Sequence, residues 1–129
     1  MSTNQTNRPS PTMYEYIAHS YRNMMNFQGR STRRNLIYFL LWMVLLNVIS
    51  FPIFQHLGTI AIIAMIALQF PVLSIISRRL QDVGMSPAWM LAILLPAIGG
   101  ALVLIFCLLP GQKFENEYGP DPRVTEGRI

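Results

Sequence analysis

At 129 residues, 52% hydrophobic and only 12% charged, the chain carries about half the charged share of a soluble domain, which runs near 25%. Its net charge of +4 comes from arginines that flank apolar runs, which favours lipid phosphate and membrane topology over nucleic acid as the explanation. A single cysteine, Cys107, excludes an intrachain disulfide and CxxC metal chemistry.

Residues 1–13 are polar and rich in Ser, Thr, Asn and Pro, the composition of a disordered terminus with no cleavable signal. From Tyr14 to Phe27, Tyr14, Ile17, Ala18, Tyr21, Met24 and Met25 recur at helical spacing, opposite Glu15, His19, Arg22 and Asn23. This predicts a short amphipathic helix, either at the membrane interface or packed on the protein's own loops. Gly29 can turn the chain from this helix towards the apolar run that follows.

Asn35 to Ser77 is 43 residues without a charged side chain, and Val83 to Gln112 adds another 30. A 43-residue helix would reach roughly 65 Å, about twice a hydrocarbon core of ~30 Å. The first run must therefore fold back, and Gln55-His56-Leu57-Gly58 is the turn signal inside it. The predicted spans are 36–54, 59–77 with a kink at Pro71, and 88–109, interrupted by Pro96 and Gly99-Gly100. The expected fold is all-α: a multi-pass membrane protein with an N-terminal interfacial helix plus three transmembrane helices. Residues 14–122 form one membrane domain and 123–129 a flexible tail. Three crossings put the chain's two ends on opposite sides. The arginine asymmetry then puts the N-terminus in the cytoplasm and the tail outside.

Three polar clusters border the spans. Phe27-x-Gly29-Arg30-x-x-Arg33-Arg34 leads into the first. Arg78-Arg79-Leu80-Gln81-Asp82-x-Gly84-x-Ser86-Pro87-Ala88-Trp89 joins the second to the third, with Ser86 and Pro87 suited to cap a helix and Trp89 to the interface. Pro110-Gly111, Asn116, Tyr118-Gly119 and Asp121-Pro122 follow the last, as turn formers. An ordinary topology signal accounts for arginines at span ends, and so does an anionic-lipid or partner site. The candidate site is Arg30, Arg33, Arg34, Arg78, Arg79, Asp82 and Trp89, with Asp82 paired chiefly to Arg78 four residues earlier. No His/Cys/carboxylate set has ligand spacing, no nucleophilic triad is visible, and the spans hold no ionisable Asp, Glu, Lys, Arg or His for a proton relay. Neither a cofactor nor a metal is expected.

These clusters, in this order, resemble the family of small bacterial inner-membrane proteins known as domain of unknown function 805, over about residues 14–122. The family pattern is F-x-G-R-x-x-R, then R-R-L-H-D-x-G-x-S-x-W, then P-G-x(4)-N-x-Y-G-x-D-P. The resemblance implies a multi-pass inner-membrane protein and no established activity. Gln81 stands where the pattern has His: it can hydrogen-bond but cannot titrate near neutral pH. The favoured reading is a non-enzymatic membrane protein that binds anionic phospholipid or a protein partner, possible homo-oligomers included. The alternatives are a subunit of an oligomeric transporter or channel, and an enzyme using Asp82 on a lipid headgroup.

Overall fold

The computed structural model describes residues 9–125; the polar stretch 1–8 and residues 126–129 lie outside the described residues. The helices are α1 (Met13–Arg22), α2 (Arg33–Gln69), α3 (Pro71–Val83), α4 (Met90–Ile93), α5 (Pro96–Leu108) and α6 (Pro122–Thr125), with one 3-10 turn at Pro87–Trp89. Among the described residues the only β pairing is an isolated bridge between Asn116 and Gly119. The all-α expectation holds.

Helix α1 begins with a capping box. The Thr12 hydroxyl accepts from the Glu15 amide, and the Glu15 carboxylate accepts from the Thr12 amide. Its packed face is set by Tyr16 and Ser20, which the hydrophobic pattern overlooked, while Tyr14 and Met25 stay exposed. Tyr16 meets the ring of Tyr38 at 5.4 Å, and the Ser20 hydroxyl donates to Asn35 Oδ1 at 3.0 Å. A polar seam therefore joins α1 to α2 beside the ring contact of Tyr21 with Phe39, while Ile17 and Ala18 are half-buried.

Helix α2 contains the predicted fold-back. Gly58 sits at φ 64°, ψ −150°, a backbone state that side chains with a Cβ rarely adopt, and it breaks the helix into two arms. The arms run antiparallel: Gln69 reaches Asn47, and Tyr21 donates to the Leu68 carbonyl at 2.8 Å while receiving the Trp42 indole N–H at 3.2 Å. Pro71, which has no amide hydrogen, starts α3 as a new helix, as expected. The core lies near one end of this hairpin and is built from Leu36, Phe39, Ile75, Ile76, Leu80, Phe106 and Cys107.

The third apolar run departs from expectation. It is not one span of 22 residues but a 3-10 turn, the four-residue α4, a break at Leu94–Leu95, and the 13-residue α5. Pro96 supplies the break, because the residue before a proline is pushed out of the helical region; Leu95 is extended at ψ 117°. Gly99 then packs so closely on the Ile93 carbonyl that an added Cβ would meet it at 1.9 Å. The run leaves from the C-terminus of α3, where Ser86 caps the Pro87 turn by accepting from Ala88 N at 3.3 Å. It also returns there: Gln112 N donates to Asp82 O at 2.9 Å. At 1.5 Å per residue α5 is roughly 20 Å long, short of a ~30 Å core. The tail after α5 therefore lies at the arginine-bearing end of the hairpin and not, as the count of three crossings required, at the opposite end.

Candidate functional site

The last two turns of α3 present Arg79, Gln81 and Asp82 to three different parts of the chain. Asp82 is buried between two arginines. Its Oδ1 accepts from Arg30 Nε at 3.0 Å and lies 2.9 Å from Arg30 Nη2, and its Oδ2 pairs with Arg79 Nη1. These side chains are 1% exposed for each arginine and 4% for the aspartate. One carboxylate cannot balance two guanidiniums, and a buried charge needs its remaining donors satisfied. Backbone carbonyls complete the set. Arg79 donates to Phe106 O at 3.0 Å, to Ser31 O at 3.4 Å and to Leu109 O. Arg30 donates to Phe114 O at 2.7 Å, to Gly119 O at 3.2 Å and to Gln112 O. Phe106 and Leu109 are at the C-terminus of α5, where helical carbonyls lack amide partners and the helix dipole is negative.

The three clusters are thus one junction. Gly111 sets the approach of its strands: a Cβ there would fall 2.0 Å from Asp82 Oδ2, so only glycine lets the backbone pass. Gln81, fully buried, stitches the turn before α2. Its Oε1 accepts from Gly29 N at 2.9 Å and its Nε2 donates to Phe27 O at 2.8 Å. A neutral histidine also offers one acceptor and one donor, so either residue can make this pair. Asn116 Nδ2 donates to Gln81 O at 2.9 Å and to Gln112 Oε1 at 2.7 Å, and its Oδ1 accepts from Tyr118 N at 2.9 Å. Gly84 ends α3 in the left-handed region beneath Gln112.

Four expected placements change. Arg78 is not the partner of Asp82. It turns towards His19 of α1, with Nε donating to Ser74 O at 3.2 Å, because Arg30 and Arg79 already fill both carboxylate oxygens. Burial and the charges of Arg78 and Arg22 hold the His19 pKa below its usual value. Trp89 is half exposed on the 3-10 turn and does not border the cavity described below. Lys113 belongs to the same end as the arginines, next to the Gln112 that contacts Asp82. Arg30 and Arg79, finally, direct their guanidinium donors mainly to internal acceptors. Among the described residues no group of three or more His, Cys, Asp or Glu gathers to hold a metal.

The arginines that do face outward are Arg33 and Arg34. They lie in the first turn of α2, are exposed, and make no side-chain hydrogen bond or ion pair among the described residues. With Thr32 and Arg123 they border a cavity of about 420 Å³ whose inner wall is the buried Arg79 and Asp82 and the half-buried Gly111. Arg123 was expected in a flexible tail and carried no functional weight. It is held by Asp121, through Nε at 2.8 Å and Nη2 at 2.7 Å, and by Gln112 O at 3.1 Å. The guanidinium holds the Asp121 carboxyl below its usual range. The Asp121-Pro122 pair was legible as a turn; its task of aiming Arg123 at the cavity was not.

The model of the family described as "Protein of unknown function (DUF805)" matches residues 24–120, the stretch that holds this junction. The chain is 32% identical over 106 residues to the inner membrane protein YhaI of Escherichia coli, covering 79% of this chain and 90% of that one. It is 28% identical over 111 residues to the inner membrane protein YhaH of the same organism, covering 80% and 92%. No solved structure matches.

Proposed function

The chain belongs to the DUF805 family, and we propose that it is a bacterial inner-membrane protein that binds anionic phospholipid in the arginine-lined cavity. The observation that carries this reading is the pair Arg33 and Arg34, exposed at the start of an apolar helix and unpaired among the described residues, beside a cavity walled by the buried junction. Guanidinium matches phosphate in a bidentate fork and is more weakly hydrated than ammonium. Each basic residue near an anionic surface contributes on the order of 1 kcal/mol. Phosphatidylglycerol added to the purified protein in mild detergent raises its thermal midpoint in this reading. Arg33→Gln with Arg34→Gln removes most of the gain, whereas Lys113→Gln, the same kind of charge change outside the cavity lining, keeps it. Equal stabilisation of the double variant and the parent overturns the lipid site.

We further infer a topology from the return of the tail to the arginine-bearing end. The α2–α3 hairpin crosses the bilayer twice, and residues 87–108 enter and leave at one face as a re-entrant hairpin. The arginine-rich end, with the tail beside it, faces the cytoplasm by the positive-inside rule. In a Cys107→Ser background, single cysteines placed at Gln55, Ser86 and Glu117 report this. An impermeant thiol reagent on intact cells labels position 55 alone. Labelling of 117 together with 55 restores three crossings and removes the re-entrant assignment.

A further inference from the structure

We infer that the cavity takes a lipid whose head is a diphosphate on a long hydrocarbon chain. This rests on the phosphate-binding reading above and narrows it to a ligand class. Charge carries the first step. Arg33, Arg34, Arg79 and Arg123 border the cavity with Asp82, and Arg30 and Asp121 are paired directly to that set. Five cations against two carboxylates leave a surplus of three. Arg33 also acts as an unfavourable positive charge on Arg79. A phosphodiester head brings one negative charge and leaves most of that surplus. A diphosphate monoester brings about three near neutral pH, because its terminal phosphate ionises a second time near pH 6.

Size and position carry the second step. A volume of about 420 Å³ falls within the range of roughly 300–1,000 Å³ typical of small-molecule sites and exceeds what a lone phosphate fills. The cavity opens at the first turn of α2. From Arg34 the exposed residues Ile37, Leu41, Val44 and Val48 follow at steps of three and four, one continuous apolar stripe down the same helix face. The apolar stripe therefore begins where the cationic rim ends. A ligand with its head in the cavity has its chain on that stripe, at the depth of the bilayer's acyl region.

Farnesyl diphosphate is a soluble-enough probe of this class, and the full-length protein in mild detergent is the receptor. Affinities follow from thermal shift or microscale thermophoresis. The expected order is farnesyl diphosphate about tenfold tighter than farnesyl monophosphate, and about tenfold tighter than inorganic diphosphate, which lacks the chain. Arg33→Gln with Arg34→Gln removes the preference for diphosphate over monophosphate. Both arginines are exposed, so this variant keeps the buried junction, and its thermal midpoint without ligand checks that it is folded. Equal affinity for mono- and diphosphate overturns the diphosphate head. Equal affinity for farnesyl and inorganic diphosphate overturns the apolar chain. In either case, stabilisation by phosphatidylglycerol leaves the broader anionic-lipid reading standing. Absence of binding by every phosphate compound, phosphatidylglycerol included, removes both.

Discussion

Asp82→Asn is expected to destabilise the fold by about 3–5 kcal/mol, the cost of breaking a buried ion pair by removing one partner. Asparagine keeps the shape of the side chain and one acceptor oxygen but removes the charge that two guanidiniums, each 1% exposed, share. The carbonyls of Phe106, Gln112 and Phe114 still accept hydrogen bonds, yet they carry no net charge to oppose Arg30 and Arg79. The measurement is the thermal or denaturant midpoint in mild detergent, with Glu117→Gln as an exposed carboxylate control that stays near the parent. A parent-like midpoint for Asp82→Asn refutes a stabilising role for the pair. Combining Asp82→Asn with Arg30→Gln separates its terms: the double variant should lose less than the two single losses added together, because each single change strands what the other leaves behind.

Gly111→Ala is expected to come next in severity. The added Cβ would fall 2.0 Å from Asp82 Oδ2 and 2.6 Å from its Cγ, so either the backbone of residues 110–112 or the carboxylate must move. Overpacking of this kind costs about 1–3 kcal/mol, and displacing Asp82 adds part of the ion-pair loss. Gly100→Ala is the matched control. It lies inside α5, and its Cβ meets nothing within 4 Å. Alanine there improves helix propensity by roughly 0.5–1 kcal/mol. A Gly111→Ala midpoint equal to that of the parent shows that the close approach is not required.

The sequence made legible what depends on local rules. A charge-free run too long for one crossing had to turn, and Gly58 is where it turns. Pro71 had to break the second arm, and Ser86 with Pro87 had to open a helix turn. The hairpin also brings the first two polar clusters to one end, as its antiparallel arms require, but the third cluster was expected at the other end. That failure has one physical origin. Reading residues 88–109 as one straight helix sent Pro110 to Pro122 to the far end of the hairpin, whereas the break at Leu95, a backbone event, turns the run back so that Gln112 meets Asp82. With the tail misplaced, the acceptors of Arg30 and Arg79 were invisible, since carbonyl oxygens belong to every residue and leave no mark in a sequence. Beyond Asp82, the counter-charge for these arginines was therefore sought in external anions. The Arg78 assignment failed for a related reason: i,i+3 and i,i+4 neighbours are equally available on a helix, and Arg30, 52 residues away, decided which one remained. Arg123 escaped notice because its orientation comes from Asp121, an arrangement that reads in sequence as an ordinary turn.

Arg30 makes its contacts with residues 52, 82, 84 and 89 positions further along the chain. Helix formation depends on neighbours within a turn or two and is fast, whereas contacts of this separation require large loops to close and come late. The junction is therefore expected to act as a latch that shuts after the helices have formed and docked. On this order its arginines would lose their water only in the closing step. Defects in the latch should accordingly speed unfolding while leaving the rate of helix assembly almost unchanged.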